Sequence, residues 1–574
     1  MQKTSRYLFL CALIVNIDHL VSVRNPRPTL RFTFTKNDEK PKGPVVVTTE
    51  GPLQGIYRGA SKVFYGIPFA EPPVGNLRWR PPQFKSSWHA SGKTLLADVV
   101  PPACPQTSCL WHSPPFICVN KTSEDCLTLN IFTPSGASYF SNLPVMFFIH
   151  GGQFTTMSGG SPLWNGETLA SMENVVVVTI NYRLGALGFL FADEGPDAPQ
   201  GNYGVMDQRF ALAWVQRNIR NFGGNPDEVT IFGQSAGAQS VALHMTSAKS
   251  SSLFRRAIVE SSPFAIHFKS HSEAKRLGKY LIQALGCQHD VVNCLRNASA
   301  DALVTAENVV SVKVASLQVL EFFEQWGPFI DGVEVKDQPL DAFMSGNFQR
   351  KPIMMGVTTQ EAQSFVYAGF LHNVSETEYR AILLATFPVH IRSVLSTYPI
   401  VSSGDQRPAF VNISTDYAFI CPTRAAAKAI ARRSFLFPYI WMYVFNQTVA
   451  PRFWSNITYC YGHVCHGSEL PFVFNPGNNK GFELSKEEQK LSHAMQKYWA
   501  NFARTGNPNT LYPAGANPRQ GFNDGVTRMK FYDKYWPPFH SQTNFSVLEF
   551  KAPMGSVMYD FKTKLCDFWD GIGY

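Results

Sequence analysis

The 574-residue chain contains no run of five or more basic residues, although Lys and Arg outnumber Asp and Glu by 51 to 42 and the formal net charge is +9. Charge spread so thinly makes no footprint for a polyanion, and nucleic acid is not an expected partner. Charged residues are only 16% of the chain, against 45% hydrophobic and 13% aromatic. That balance excludes a disordered or low-complexity protein and requires a large apolar interior. Also lacking are an internal repeat, a second long apolar segment and any Pro/Ser/Gly-rich linker of the kind that separates domains. At ~150 residues per domain the length would suggest about four domains, but without linkers residues 45–574 read as one large domain. Asp567–Tyr574 carries neither a hydrophobic tail nor a retention tetrapeptide, so no membrane anchor is expected.

What the N-terminus does contain is Lys3 and Arg6 followed by the apolar run Tyr7–Val15. That run is long enough for the core of a secretory signal and too short to span a bilayer. Residues 1–23 are read as a signal peptide cut near Val21-Ser22-Val23, and residues 24–44 as a basic, Pro-rich leader, so the protein is expected to be secreted. Cysteine usage agrees. Cys11 falls in the signal, and Cys104, Cys109, Cys118, Cys126, Cys287, Cys294, Cys421, Cys460, Cys465 and Cys566 form an even set that an oxidising compartment lets pair. Seven Asn-x-Ser/Thr sequons, at Asn120, Asn297, Asn373, Asn412, Asn446, Asn456 and Asn544, are glycosylation candidates.

The first half alternates as a parallel sheet does. Pro144–Ile149 and Asn174–Ile180 are continuous apolar runs, as in strands buried on both faces, and helices should cover them. Met206–Asn221 places Phe210, Trp214 and Val215 at helical spacing, Gly223-Gly224-Asn225-Pro226 stops it, and Val229–Phe232 reads as another buried strand. That strand runs into Gly233-Gln234-Ser235-Ala236-Gly237, followed by the helical stretch Ala238–His244. A G-x-S-x-G pentapeptide between strand and helix marks a nucleophile elbow, whose strained turn is tolerated only where the flanking residues lack bulk. The plain alternative is an ordinary serine in a strand-helix turn.

A nucleophilic hydroxyl needs a base, and the base an orienting acid; on this architecture they follow in the order Ser, Asp or Glu, His. Glu361 fits the acid, since it follows the compact strand Pro352–Val357, and catalytic groups gather at the carboxyl ends of such strands. Asp331 and Asp416 compete for the role. Six histidines follow Glu361, and only His463 and His466 lie in a segment built to hold a ring still, Cys460–Glu469. A bridge between Cys460 and Cys465 would stiffen the loop ahead of His466, and Gly467 leaves room beside its ring, so His466 is preferred. A zinc site of Cys460, His463, Cys465 and His466 is disfavoured, because secreted thiolates oxidise and the spacing matches no common structural pattern. No metal or other cofactor is expected. Backbone amides of Gly152, Gln153 and Ala236 are candidates for an oxyanion hole, as His150-Gly151-Gly152-Gln153-Phe154 follows a strand in the expected place.

These motifs resemble those of the type-B carboxylesterases, the cholinesterase-like branch of the α/β hydrolases. The likeness runs from about Val45 to Trp569 through FYGIPFAEPPVGNLRW (Phe64–Trp79), SEDCLTLNIF (Ser123–Phe132), IHGGQF, INYRLGALGFL (Ile180–Leu190), NFGGNPDEVTIFGQSAGA (Asn221–Ala238), HVCHGSELPFVF (His463–Phe474) and YWANFARTGNPN (Tyr498–Asn509). The resemblance implies an α/β fold with a large, mostly parallel central sheet flanked by helices, acting on a small-molecule carboxylic ester. It makes Ser235 the nucleophile, Glu361 the acid and His466 the base, gives Gly152, Gln153 and Ala236 the oxyanion hole, and puts Ser261 and Glu469 at polar positions near the triad. It also pairs Cys104 with Cys126, Cys287 with Cys294 and Cys421 with Cys566, which leaves Cys109 with Cys118 and Cys460 with Cys465.

Three departures bear on substrate. The family's GGG is GGQ here, so Gln153 adds a side chain beside the acyl group and esters of tertiary alcohols become less favoured. Gln234 stands where most relatives carry Glu before the nucleophile; juvenile hormone esterases share this GQSAG. The short loop Cys104–Cys126 has no secure counterpart of the tryptophan with which cholinesterases hold choline, Trp111 and Phe116 being nearest, and Phe322, Phe323 and Trp326 are possible pocket walls. The expected activity is therefore hydrolysis of neutral esters through an acyl-enzyme. The alternative is a catalytically silent adhesion or ligand-binding protein of the neuroligin type; silent relatives usually lack a triad member, and all three are present here.

Overall fold

The computed structural model describes residues 43–574 apart from 89–91, 108–112, 119–120, 193–194, 196, 315–323, 434–439, 478–481, 510–533 and 554. The signal, nearly all of the leader, Cys109, Trp111, Asn120, Phe322 and Phe323 lie outside the described residues.

Eleven strands form the main sheet: β1 (Ile56–Arg58), β2 (Ser61–Pro68), β3 (Thr128–Pro134), β4 (Leu143–Ile149), β5 (Val176–Ile180), β6 (Gly224–Gln234), β7 (Arg256–Glu260), β8 (Ile353–Thr358), β9 (Ile440–Phe445), β10 (Val547–Phe550) and β11 (Val557–Met558). Their spatial order is β11-β10-β9-β8-β7-β6-β4-β5-β3-β2-β1. The seven strands from β10 to β5 run parallel, and antiparallel pairs close both ends. A small separate sheet joins Val45–Val47, Pro52–Gln54 and Leu95–Leu96.

Strand periodicity sorts the side chains into two cores. Val145, Phe147 and Ile149 of β4 join Ile231, Val259, Met355 and Val444 on one face, while Met146 and Phe148 join Phe232, Ile258, Met354 and Tyr443 on the other. The first face is covered by helices α1 (Tyr203–Asn218), α2 (Ala236–Thr246), α3 (Cys421–Arg432) and α5 (Thr563–Ile572), through Trp214, Val241, Ala426 and Trp569. The second is covered by α4 (Lys486–Thr505), through Leu491, Met495 and Trp499. A one-residue slip would exchange the two sets, each buried Phe or Ile being worth ~1.5–3 kcal/mol, so the register is tightly specified.

Local boundaries differ from the sequence reading around the nucleophile. β6 begins at Gly224 rather than Val229, and α2 at Ala236 rather than Ala238. α1 ends at Asn218 and is followed by a 3-10 turn, Ile219–Phe222, that Gly223 closes with a φ of 91°. The strand therefore delivers Ser235 to the carboxyl edge of the sheet, with a helix starting immediately beyond it.

Candidate active site

Ser235 is the single residue between β6 and α2, so the chain turns from strand to helix within one peptide. Its φ of 61° and ψ of −127° lie where a non-glycine residue stores about 1–3 kcal/mol of strain. The neighbours make this turn possible: a Cβ on Gly233 would lie 2.6 Å from the Gly237 backbone, and one on Gly237 only 2.0 Å from the Ile149 carbonyl oxygen. The Ser235 amide donates to the Glu260 carbonyl at 3.0 Å, tying the elbow to the end of β7.

Glu361 follows β8 and is fully buried. Its Oε1 accepts from the Thr358 amide at 2.6 Å, and its Oε2 lies 2.6 Å from His466 Nδ1. An ionised carboxylate only accepts hydrogen bonds, so Nδ1 carries the ring proton and Nε2 presents its lone pair. The rings of Phe365 and Phe419 pack on the imidazole at centroid distances of 5.1 and 5.2 Å. His466 and Ser235 both line the cavity above the elbow. Among the described residues, however, no hydrogen bond links Ser235 to His466; the Nε2 partner is the side-chain amide nitrogen of Gln234, at 2.9 Å.

The competing groups are otherwise engaged. Asp331 accepts from the amides of Val333, Glu334 and Val335 and from Asn202, and Asp416 from Lys562 and Tyr398. His463 meets Gln360 through Nδ1. The disulfide between Cys460 and Cys465 rules out thiolate ligands for a zinc ion there.

The loop after β4 is held open by its own backbone. Gly152, Gln153 and Phe154 have φ values of 103°, 57° and 58°. The Gly152 carbonyl accepts from the amides of Thr155 and Thr156, each at 3.0 Å, and the Phe154 carbonyl from that of Gly185 at 2.8 Å. Upstream, the Tyr182 hydroxyl donates to the His150 carbonyl at 2.9 Å while the two rings stack. Burial pushes the His150 imidazole down to about 4, so it stays neutral. The amides of Gly152 and Gln153 donate to no group among the described residues, and that of Ala236 is the first of α2. First-turn amides have no intrahelical acceptor, so these N–H groups are open to a negatively charged oxygen beside Ser235.

Two cavities meet at Ser235. One, of about 800 Å³, is lined by Gln153, Ala236 and a mostly apolar wall that includes Phe365, Leu383, Phe387, Phe410, Ile413 and Phe419. The other, of about 630 Å³, includes Gly151, Gly152, Gln234, His466, Trp164, Phe453 and Trp454, with no Asp or Glu among the described residues lining it. Trp326, suggested as a pocket wall, and Phe116, a candidate for the choline-holding position, line neither cavity. Trp326 is buried in a satellite core with Trp79, Leu187 and Tyr203, because its indole faces inward from the segment. Phe116 packs against Phe453 and Phe482. Glu324, two positions before Trp326, does reach the larger cavity and accepts from Gln239 at 2.9 Å; nothing in the local sequence marked either residue.

Near Glu361 lies a group of buried oxygens. Ser261 has a φ of 54°, and its hydroxyl, both Glu469 oxygens, Glu260 Oε2 and the Tyr443 hydroxyl have no hydrogen-bond partner among the described residues. Burial, reinforced by the charges of Glu361 and Glu260, holds the Glu469 carboxyl well above the usual range. Burial likewise pushes Glu260 up to about 8, against the opposing hydrogen bond from Trp499. Between the ordinary carboxylate range and pH 8 the folded chain thus retains a proton on Glu260 that the unfolded chain has lost. Stability from this group is complete at acid pH and declines as pH rises, by at most ~1.4 kcal/mol per unit. Glu260→Gln keeps an acceptor for Trp499 and removes the titration, so its thermal midpoint should gain on that of the wild type from pH 5 to pH 8. Parallel melting curves for the two proteins across that range would contradict the assignment.

Four bridges join cysteines that are both among the described residues: Cys104–Cys126, Cys287–Cys294, Cys421–Cys566 and Cys460–Cys465. Cys118 is also disulfide-bonded, while its expected partner Cys109 lies outside the described residues. Of the sequons, Asn297, Asn373, Asn412, Asn456 and Asn544 are exposed. Asn446 is half-buried and uses its amide to hold Glu549 at 2.7 Å.

A parallel-centred sheet with a strained serine at the carboxyl end of a middle strand, opposite a Glu-paired histidine, defines an α/β hydrolase. The chain belongs to the carboxylesterase family, whose model matches residues 42–569. It is 36% identical to the cAMP-regulated D2 protein of Dictyostelium discoideum over 89% of this chain and 90% of that one. It is 33% identical to the cholinesterase of Mus musculus, covering 86% of this chain and 85% of the relative. A solved PNB esterase superposes with a TM-score of 0.72 at 28% identity, over 91% of this chain and 99% of that structure.

Proposed function

We propose that the protein is an exported serine carboxylic-ester hydrolase that acts through an acyl-enzyme, with Ser235 as nucleophile, His466 as base and Glu361 as its orienting acid. The observation that carries this reading is the Glu361–His466 pair at 2.6 Å, set beside a serine on an elbow strained enough to need glycine on both sides. In the first step Ser235 Oγ attacks the acyl carbon and its proton passes to His466 Nε2. The negative oxygen of the tetrahedral intermediate turns to the amides of Gly152, Gln153 and Ala236, each such donor being worth about 3–4 kcal/mol of barrier. The alcohol then leaves with the proton from Nε2, and water repeats the sequence to free the acid.

The two cavities take different halves of the substrate. The leaving oxygen receives its proton from His466, so the alcohol belongs in the cavity that His466 lines, and the acyl chain in the apolar cavity behind Ala236. A cationic alcohol would be held by an aromatic face, worth ~0.5–2 kcal/mol, and by a nearby carboxylate. Trp164, Phe453 and Trp454 supply aromatic faces, but the position beside the nucleophile is the neutral Gln234. Neutral short- to medium-chain esters should therefore have the higher kcat/KM. Matched kinetics on butyrylcholine and its uncharged isostere 3,3-dimethylbutyl butyrate test this, and a clear preference for the cation would refute it. For the reaction itself, a neutral organophosphonate should modify the peptide that contains Ser235 and no other.

Export is supported by the four described disulfides and the exposed sequons. No helix among the described residues is long and apolar enough to cross a membrane. The substrate is a small ester and needs no cofactor in this scheme.

A further inference from the structure

The lone pair that the proposed base must use is already occupied. His466 Nε2 meets the side-chain amide nitrogen of Gln234 at 2.9 Å, and Gln234 is itself 6% exposed, enclosed by the site it lines. The direction of this bond follows from the other side of the ring. In the neutral ring that a base requires, Nδ1–H donates to Glu361 Oε2 at 2.6 Å, so Nε2 can only accept, and of the two ends of a carboxamide only the N–H end can donate to it. The same amide lies beside two glycines: an ideal Cβ on Gly151 would stand 3.4 Å from Gln234 Oε1, and one on Gly467 3.8 Å from its Nε2, both ordinary contact distances.

Resting on the serine-hydrolase reading, we infer that Gln234 is a positioning residue that acts through His466. In the resting site it latches Nε2 away from the Ser235 hydroxyl, and acylation begins only when the amide releases that nitrogen. A single lone pair cannot take a full hydrogen bond from both groups, and no bond from Ser235 to His466 is formed while the amide is in place. Gln234 lines the alcohol-side cavity together with Ser235 and His466, so a substrate seated there lies against the latch as well as the nucleophile. The position next to a nucleophile is usually considered for its charge; here the amide's donor competes with the nucleophile for the base.

Gln234→Met keeps the length and bulk of the side chain and removes both polar atoms. Its effect is read on two observables in the full-length protein. The first is the 15N resonance of His466 Nε2 in His-labelled enzyme, which should move from its wild-type position once the Gln234 N–H is lost. The second is the rate of phosphonylation by a neutral p-nitrophenyl phosphonate. In that reaction the Ser235 Oγ–P bond forms, the bond from phosphorus to p-nitrophenolate breaks, and the serine proton passes to Nε2. Freed of the latch, the variant should react about 2- to 12-fold faster, the factor that one neutral hydrogen bond represents. Gln234→Asn, whose amide is one carbon short of the ring, should move both readouts the same way and serves if the methionine variant fails to fold. A purely structural role for Gln234 would slow phosphonylation and leave the Nε2 resonance in place. An unchanged resonance, or a rate equal to or below wild type, overturns the latch. A wild-type protein that is not labelled at Ser235 overturns the hydrolase reading, whereas the resonance still reports whether the Gln234 contact exists.

Discussion

Ser235→Ala should retain the fold and lose ester hydrolysis by roughly 10⁴- to 10⁶-fold, because removing the covalent member of a cooperating triad removes nearly all that the triad contributes. The substitution also tests whether the elbow exists for chemistry. Alanine at a φ of 61° keeps a Cβ, so the strain remains while the hydroxyl is lost. A thermal midpoint close to wild type, with turnover reduced to what the oxyanion amides and binding alone provide, is the expected pair of measurements. Hydrolysis at the wild-type rate would end the mechanism, and with it the division of the two cavities between acyl and alcohol.

Breaking the Cys421–Cys566 bridge should cost more than breaking any other described bridge. It joins the first residue of α3 to α5 and closes 145 residues, against 22 for Cys104–Cys126, 7 for Cys287–Cys294 and 5 for Cys460–Cys465. In the chain-entropy account a loop of that length is worth ~4–5 kcal/mol, and a short one clearly less. Without the bridge, α5 would keep its packing, in which Trp569 lies among Phe387, Tyr398 and Tyr417 and donates to the Tyr398 hydroxyl at 2.9 Å, and the ion pairs of Asp567 with Arg424 and Lys428 of α3. The test compares the yield of folded protein and the midpoint of thermal inactivation for Cys566→Ser and Cys294→Ser. Equal losses in the two would show that loop length does not govern the stabilisation.

Much of the site could be read along the chain because its parts are local signatures. The elbow is a strand, five residues and a helix; the loop after β4 is a strand and two glycines; and continuous apolar runs announced β4, β5 and β8 to within two residues. The acid was less determinate. Glu361, Asp331 and Asp416 all follow plausible elements, and nothing near them in sequence says which one faces a histidine 105 residues away. The aromatic walls were the least legible. Trp326 was a fair candidate by composition and lies in a core with Trp79, while Phe365 and Phe419, which both pack on the imidazole, carry no mark that separates them from ordinary core residues.

By itself, then, the sequence determined the class of fold, the strand-serine-helix elbow at Ser235 and the even cysteine set, since these depend on backbone sterics, period-two burial and covalent chemistry acting over a few residues. The tertiary structure alone decided which carboxylate meets His466 Nδ1 and that Gln234, 232 positions away in the chain, meets Nε2. Those pairings follow from the parallel register of β6, β7, β8 and β9, which brings the segments after separate strands to one edge. A contact made across a sheet depends on where every intervening strand sits, and no local pattern encodes it.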